Sequence, residues 1–222
     1  MWANLSDPTE LLSNEALKYD RFTFFFTKKY PFSNHYPCPK LEIDERSFSC
    51  TEQYYMYMKA IAFDDKDVAQ QVLNTDDPKQ MKILGSCIIN FRQAYWNTLS
   101  YSIMMVGNFE KYRQNADLRR LLFMTEGTTL AECNPYDNHW GIGLAIDDER
   151  RFDRNHWTGK NICGYLLTFI REAMFKEDQY KDEIADALYE RDNNLVSGKQ
   201  VLNFSYDRND STSGNSEESL FD

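Results

Sequence analysis

The chain has 222 residues, 42% hydrophobic and 15% aromatic, enough for a substantial core in one domain with appendages or at most two small domains. Its net charge of −10 is unevenly spread: from Glu177 onward 12 acids face 4 bases, whereas residues 1–176 hold 23 acids against 21 bases. A nearly neutral body argues against a broad nucleic-acid-binding surface, while leaving room for one local pocket that takes an anion.

No apolar run approaches the length of a membrane span, and MWANLSDPTELL lacks the charged-then-apolar pattern of a signal peptide. The five cysteines (Cys38, Cys50, Cys87, Cys133, Cys163) are scattered, odd in number and form no CxxC pair. That usage points to a reducing compartment, the cytoplasm or the nucleus, without a disulfide framework or a membrane partner.

In chain order, residues 7 to 18 read as a short helix starting at Asp7-Pro8. RFTFFF (21 to 26) reads as a strand, PFSNHYPCP (31 to 39) as a loop, and LEIDERSFS (41 to 49) as a segment that could complete a hairpin. A helix is expected from about Cys50 to Phe63, capped by Ser49 or Thr51, and another over 64 to 74. Residues 76 to 85 have a clear helical outline, with Asp77 as cap, Pro78 in the first turn and Gly85 at the end. A long amphipathic helix covers 92 to 114, a shorter one 116 to 124, and a short strand 127 to 133. NPYDNHWGIGL (134 to 144) is too rich in turn formers to be regular. Helical spacing returns over 161 to 175 and 179 to 191, and from Asn193 the chain is polar and acidic, a composition that favours disorder. The expected fold is mainly α with a few short strands: residues 1–20 form an N-terminal extension, 21–192 one compact domain and 193–222 an acidic tail.

Common catalytic motifs are missing. There is no HExxH, no phosphate loop of the GxxxxGK[ST] type and no GxSxG, and the three histidines are too few for a His-rich metal site. Neither a metal nor a cofactor is expected. What remains is TEQYYMYMK (51 to 59), FSNHYP (32 to 37), AECNPYDNHWGIGL (131 to 144) and WTGKNICG (157 to 164). At 100° per residue Glu52 and Lys59 differ by about 700°, so they share one stripe of a helix with no clear polar side, about 10 Å apart along its axis. Each feature also has an ordinary structural use. Glu52 can complement a helix dipole, Lys59 can reach out to water over Tyr55, and Asp137 can bond its own turn. Trp96 and Trp140 can be core, and the glycines can serve turns.

Taken in order, these segments resemble the NADAR (YbiA-like) family from about Thr23 to Phe175. The resemblance rests on Phe32-Ser33-Asn34, Thr51-Glu52-Gln53-Tyr54 through Lys59, Leu84-Gly85, Arg92 with Trp96, and Lys111 to Asn115. It continues through Leu130-Ala131-Glu132, Asp137 with Trp140-Gly141-Ile142-Gly143, and Trp157-Thr158-Gly159-Lys160-Asn161-Ile162-Cys163-Gly164. Gln53 departs from the histidine usual after the glutamate, His35 stands where an aromatic is common, and the 145–156 loop is longer than in compact members.

The resemblance implies a single YbiA-like helical domain that hydrolyses N-glycosidic bonds of ribose phosphates. The substrates it implies are ADP-ribose attached to guanine in nucleic acid, which brings transient contact with modified nucleic acid, or phosphoribosylated aminopyrimidine intermediates of riboflavin synthesis. The rival class is a non-catalytic NAD or ADP-ribose reader. Positive charge developing on the sugar calls for carboxylates, so Glu52 and Asp137 are the expected catalytic acids, with Lys59 either an amine nucleophile or a phosphate clamp. Asn34, Tyr55, Trp96, Glu132, Trp140, Gly141, Gly143, Gly159 and Asn161 are the expected substrate-binding residues. The tryptophans and Tyr55 would supply stacking surface, and the glycines with Asn161 would hold phosphate.

Overall fold

The computed structural model describes residues 18–196. The helix expected over 7 to 18 and the tail beyond Val196 lie outside the described residues.

Helices dominate the described part. In chain order they are α1 (Thr51–Ala62), α2 (Lys66–Leu73), α3 (Pro78–Ser86), α4 (Gln93–Gln114), α5 (Ala116–Phe123), α6 (Ile162–Phe175) and α7 (Lys181–Val196), with strands β1 (Phe22–Phe25), β2 (Glu42–Ile43), β3 (Arg46–Ser47) and β4 (Thr129–Glu132). Helix boundaries follow local chemistry. Asp65 accepts from the Val68 N–H to start α2, and Asp77 accepts from the Lys79 N–H, with Pro78 behind it, to start α3. Helix α7 runs through Asn193 to Val196, past the boundary expected at 192.

Two expectations are corrected. Cys50, not Ser49 or Thr51, occupies the cap position of α1, and it makes no side-chain cap bond. In its place the backbone carbonyl of Asn34 accepts the Glu52 N–H at 3.0 Å. The strand at 22–25 does not pair with segment 41–49. That segment closes on itself as the β2–β3 hairpin, through Asp44 and Glu45, both at positive φ. Strand β1 instead pairs in parallel with β4, Phe22 opposite Thr129 and Phe25 opposite Glu132. A parallel partner more than 100 residues away leaves no mark in local sequence.

The core explains why α1 has no clear polar face. Helix α1 packs against α2, α3 and α4 at once, while α6 packs on β4 of the β1–β4 pair. Thr51 through Met56 are all buried. Gly85, expected to end α3, lies one residue inside it and faces Met56, whose Sδ stands 2.3 Å from where a Cβ would be. Gln53 joins two elements: its Oε1 accepts the Ser49 N–H at 2.7 Å and its amide donates to the carbonyls of Val72 and Thr75 at 3.1 and 2.9 Å. The long 145–156 loop is partly ordered into two 3₁₀ turns, Glu149–Phe152 and Arg154–His156.

Candidate active site

The site begins where the FSN loop meets the first turn of α1. Lys111, fully buried on α4, donates to the Ser33 carbonyl at 2.9 Å, and the Asn108 amide donates to Asn34 Oδ1 at 3.0 Å. Asn34 Nδ2 turns to Met104 Sδ at 3.3 Å and Cys163 Sγ at 3.8 Å. The loop is thus held from behind, and its Asn34 carbonyl fixes the start of α1 and with it Glu52.

Glu52 is 4% exposed. Its Oε1 has no hydrogen-bond partner, and its Oε2 stands 3.7 Å from His35 Nε2. Burial pushes its carboxyl up to about 7, the charge of Asp137 adds to that, and Lys82 and Lys59 oppose it. Burial and the charge of Lys82 bring His35 down to about 4. At neutral pH the ring is therefore uncharged, and its approach to Glu52 is not an ion pair. A buried acid with a free oxygen and no charged partner in contact is costly for stability, the usual mark of a group retained for chemistry.

Glu132, at the end of β4, is its counterpart. Its Oε2 is buried without a partner, and burial, reinforced by Asp137 and more weakly by Glu52, takes its carboxyl up to about 7. The Cys163 thiol on α6 partly opposes that rise. Asp137 is half-buried, and its Oδ1 accepts the N–H groups of His139 and Trp140 at 3.0 and 2.8 Å. This is the ordinary turn use of an aspartate, and one carboxylate oxygen remains for the site.

Two lysines border the acids. Lys59 is half-buried, donates to the Gly85 carbonyl at 2.9 Å and lies 4.4 Å from the Phe91 ring centroid. Burial lowers its pKa, against the pull of Glu52. Lys82, exposed on α3, acts electrostatically on Glu52, Glu132 and His35. Aromatic rings form another wall. Tyr55 meets Trp96 edge-on at 5.1 Å and Trp140 at 5.9 Å, and Trp140 also lies beside Tyr101 at 5.6 Å. Tyr101 in turn bonds His139 at 3.1 Å. A separate hollow of about 500 Å³ opens at the far end of α1, lined in part by Ile61, Phe63, Phe91 and Arg92. Lys59 stands on its border through Phe91, and the carboxylates are not among its walls.

The structure therefore brings Glu52, Lys59, Glu132, Asp137, Tyr55, Trp96 and Trp140 around one locus, with Asn34 as support behind it. The remaining expected binding residues are engaged within the protein. Gly141 donates to the Asp137 carbonyl and Gly159 to the Ile142 carbonyl. Gly143 has φ +72 and is closed in by Thr158 and Asn138. Asn161, fully buried at φ 52, accepts the Glu132 N–H with Oδ1 at 3.0 Å and donates to the Leu130 carbonyl with Nδ2 at 2.9 Å. These four hold the loops and β4 together and leave no free N–H row for a phosphate. Sequence reasoning missed Lys82. Its signal was present, a lysine three residues before the glycine of α3, but it became meaningful only once α3 was placed beside α1. Among the described residues no three of His, Cys, Asp and Glu are grouped so as to hold a metal ion, and no helix is long and apolar enough to cross a membrane.

Fold and site together define a class: a small helical domain around an acid–base pocket, with two buried carboxyls poised near neutrality, bordering lysines and an aromatic wall. Comparison with known proteins makes the class specific. The NADAR domain model matches residues 22–175, and the chain belongs to that family. It is 34% identical over 184 residues to Protein irg-1 of Caenorhabditis elegans, covering 76% of this chain and 87% of that one. It is 36% identical over 121 residues to N-glycosidase R617 of Acanthamoeba polyphaga mimivirus, 54% of this chain and 71% of the relative. To N-glycosidase YbiA of Escherichia coli it is 27% identical over 143 residues, 64% and 80% of the two chains. The NMR structure of E. coli YbiA superposes with a TM-score of 0.57 over 76% of this chain and 94% of that one, at 23% identity, so the fold is YbiA-like.

Proposed function

We propose that this protein is an N-glycosidase that hydrolyses the bond between a ribose anomeric carbon and a base nitrogen in ribose-phosphate compounds. The observation that carries the reading is the pair of buried carboxyls, Glu52 and Glu132, both raised to about 7 and each with an oxygen that has no partner. Both carboxyls titrate near neutrality, so the site can hold one ionised and one protonated acid at neutral pH. That is the pairing glycosidic cleavage needs. The relatives named N-glycosidases in mimivirus and E. coli support the same class of reaction.

In this mechanism the bond from C1′ to nitrogen breaks with its electron pair going to the base. Ionised Glu52 stabilises the positive charge growing on the sugar and takes a proton from the attacking water, whose oxygen bonds to C1′. Protonated Glu132 supplies the proton for the leaving nitrogen. Asp137 raises both carboxyls by its charge, and half-buried Trp140, backed by the buried rings of Tyr55 and Trp96, offers a face against which the base stacks. Asn34 acts from behind, through the Glu52 N–H.

The two substrate groups are ADP-ribose on guanine in nucleic acid, with a transient nucleic-acid contact, and phosphoribosylated aminopyrimidines. The setting in this reading is the cytoplasm or nucleus, consistent with five free thiols. A head-to-head assay with product analysis tests the reading: ADP-ribosylated guanine in DNA and RNA against the aminopyrimidine phosphoribosides. Release of ADP-ribose with restored guanine in the strand, or of free aminopyrimidine and ribose 5-phosphate from the phosphoribosides, supports it. Tight binding without turnover on both would overturn it and leave a non-catalytic ADP-ribose reader.

A further inference from the structure

Helices α1 and α3 run side by side in the same direction. Cys50 Sγ meets Met81 Sδ at 3.9 Å at one end, and further along both helices Met56 fills the space facing Gly85. Lys82 follows Met81 directly, so it stands beside the first turn of α1, where Glu52 lies. The two lysines of the site thus differ in position and in freedom. Lys59 is half-buried and tied to the Gly85 carbonyl and the Phe91 ring. Lys82 is exposed and makes no ion pair or hydrogen bond among the described residues.

From this arrangement we infer that Lys82 is the substrate-phosphate clamp of the site, holding the phosphate of a ribose phosphate at the mouth while the sugar reaches Glu52 and Glu132. The inference rests on the N-glycosidase reading for the sugar but not for the phosphate. Asp137 and ionised Glu52 present an interior that repels anions, so a phosphorylated ligand needs a cation outside them. The charge of Lys82 is felt by buried Glu52, by partly buried Glu132 and by His35. An ammonium on a flexible stem binds phosphate as a point charge. The residues expected from sequence to bind phosphate, Gly141, Gly143, Gly159 and Asn161, are engaged within the protein, and that leaves the task to a side chain.

The test compares full-length wild type, Lys82→Gln and Lys82→Arg for binding of ribose 5-phosphate and of ribose, by titration calorimetry or NMR shifts. Thermal melts confirm that each variant is folded, which its exposure makes expected. Losing one charge-assisted contact should weaken ribose 5-phosphate about 10- to 100-fold in Lys82→Gln, leave ribose unchanged, and be largely restored in Lys82→Arg. In turnover assays the loss should fall on KM more than on kcat. Equal affinity for ribose 5-phosphate in wild type and Lys82→Gln would overturn the assignment, as would wild type that does not bind ribose 5-phosphate at millimolar concentration. Lys82-dependent binding without turnover of any substrate would keep the clamp and sink the hydrolase reading, so the two fail separately.

Discussion

Two polar-rich regions look equally chemical in sequence, the segment from Thr51 to Lys59 and the segment from Asp137 to Gly164, but they are built differently. In the second, Asp137 Oδ1, the N–H groups of Gly141 and Gly159 and the side chain of Asn161 all have partners inside the protein. In the first, Glu52 is buried with a free oxygen and an acid strength moved to about 7. Buried polar groups are normally satisfied because leaving one bare costs roughly 1–3 kcal/mol. Among the groups that break this rule, Glu52 and Glu132 are the two carboxyls, and their acidity makes them the ones to suspect of chemistry.

The sharpest test of that contrast is Glu52→Gln. It keeps the size and removes the charge, so turnover should fall by about two to four orders of magnitude while the fold persists. Single-turnover assays on protein checked by circular dichroism measure this, and near-normal turnover in folded protein would take Glu52 out of the mechanism. The matching change on the other side is Asn161→Ala. It strips partners from the Glu132 N–H and the Leu130 carbonyl, both inside the β4 region, and should lower stability by about 2–4 kcal/mol in chemical denaturation. A loss under about 0.5 kcal/mol would mean that Asn161 is not the tie that its contacts indicate.

Acidity next separates the two unsatisfied carboxyls from the satisfied groups. For Glu52 and Glu132 the folded pKa, about 7, lies above the ordinary 4.5. The folded protein therefore binds more protons than the unfolded chain between those values. Stability from these groups is fully present below about pH 4.5 and is lost as pH rises through about 7. The stability lost over this window is on the order of a few kcal/mol. In Glu52→Gln part of that decline should disappear, and the variant should be the more stable protein above pH 7. Melting curves from pH 5 to 8 check the sign, and a decline of wild-type slope in Glu52→Gln would contradict the buried-acid account. The rate profile of wild type should also show an inflection near pH 7, and Glu132→Gln should remove one of its two limbs.

Much of the fold was legible because helices are written locally. Asp77-Pro78 marks a start, and α3, α4 and α6 fall within a residue or two of their periodicity. The gathering of Glu52 and Lys59 on one stripe followed from helix geometry alone. The β1–β4 pairing was not legible, because it joins residues whose partners lie more than 100 positions away. The cap of α1 was missed because a backbone carbonyl, which carries no residue signature, provides it. Lys82 stayed hidden for a similar reason: an exposed lysine on an amphipathic helix looks like any solvated charge until its neighbour helix is known. The phosphate role expected of the glycines failed to find support because a glycine that permits close approach does not say what approaches. Here the neighbours are other parts of the chain, the Gly141 carbonyl against Gly159 and Thr158 against Gly143.

The smallest expected effect concerns Lys59, and it decides how the first region works. With Lys82 as the phosphate clamp, Lys59 is free to be either a fixed cation beside Glu52 or an amine that attacks an opened sugar. Burial favours its neutral form while Glu52 favours the ammonium, so the environment alone does not choose. Lys59→Arg keeps a cation but cannot give a free amine at ordinary pH. If Lys59 serves as a charge, ligand affinity should change only severalfold, through the altered fit against the Gly85 carbonyl and Phe91, and turnover should follow it. If it forms a Schiff base, affinity should still change little while turnover collapses. Borohydride added during turnover of wild type separates the cases directly. A covalent mass adduct at Lys59 that is absent from Lys59→Arg establishes covalent catalysis. Turnover without an adduct assigns the chemistry to the carboxyls, and the contrast between the two regions then rests on Glu52, with Glu132 joining it from β4.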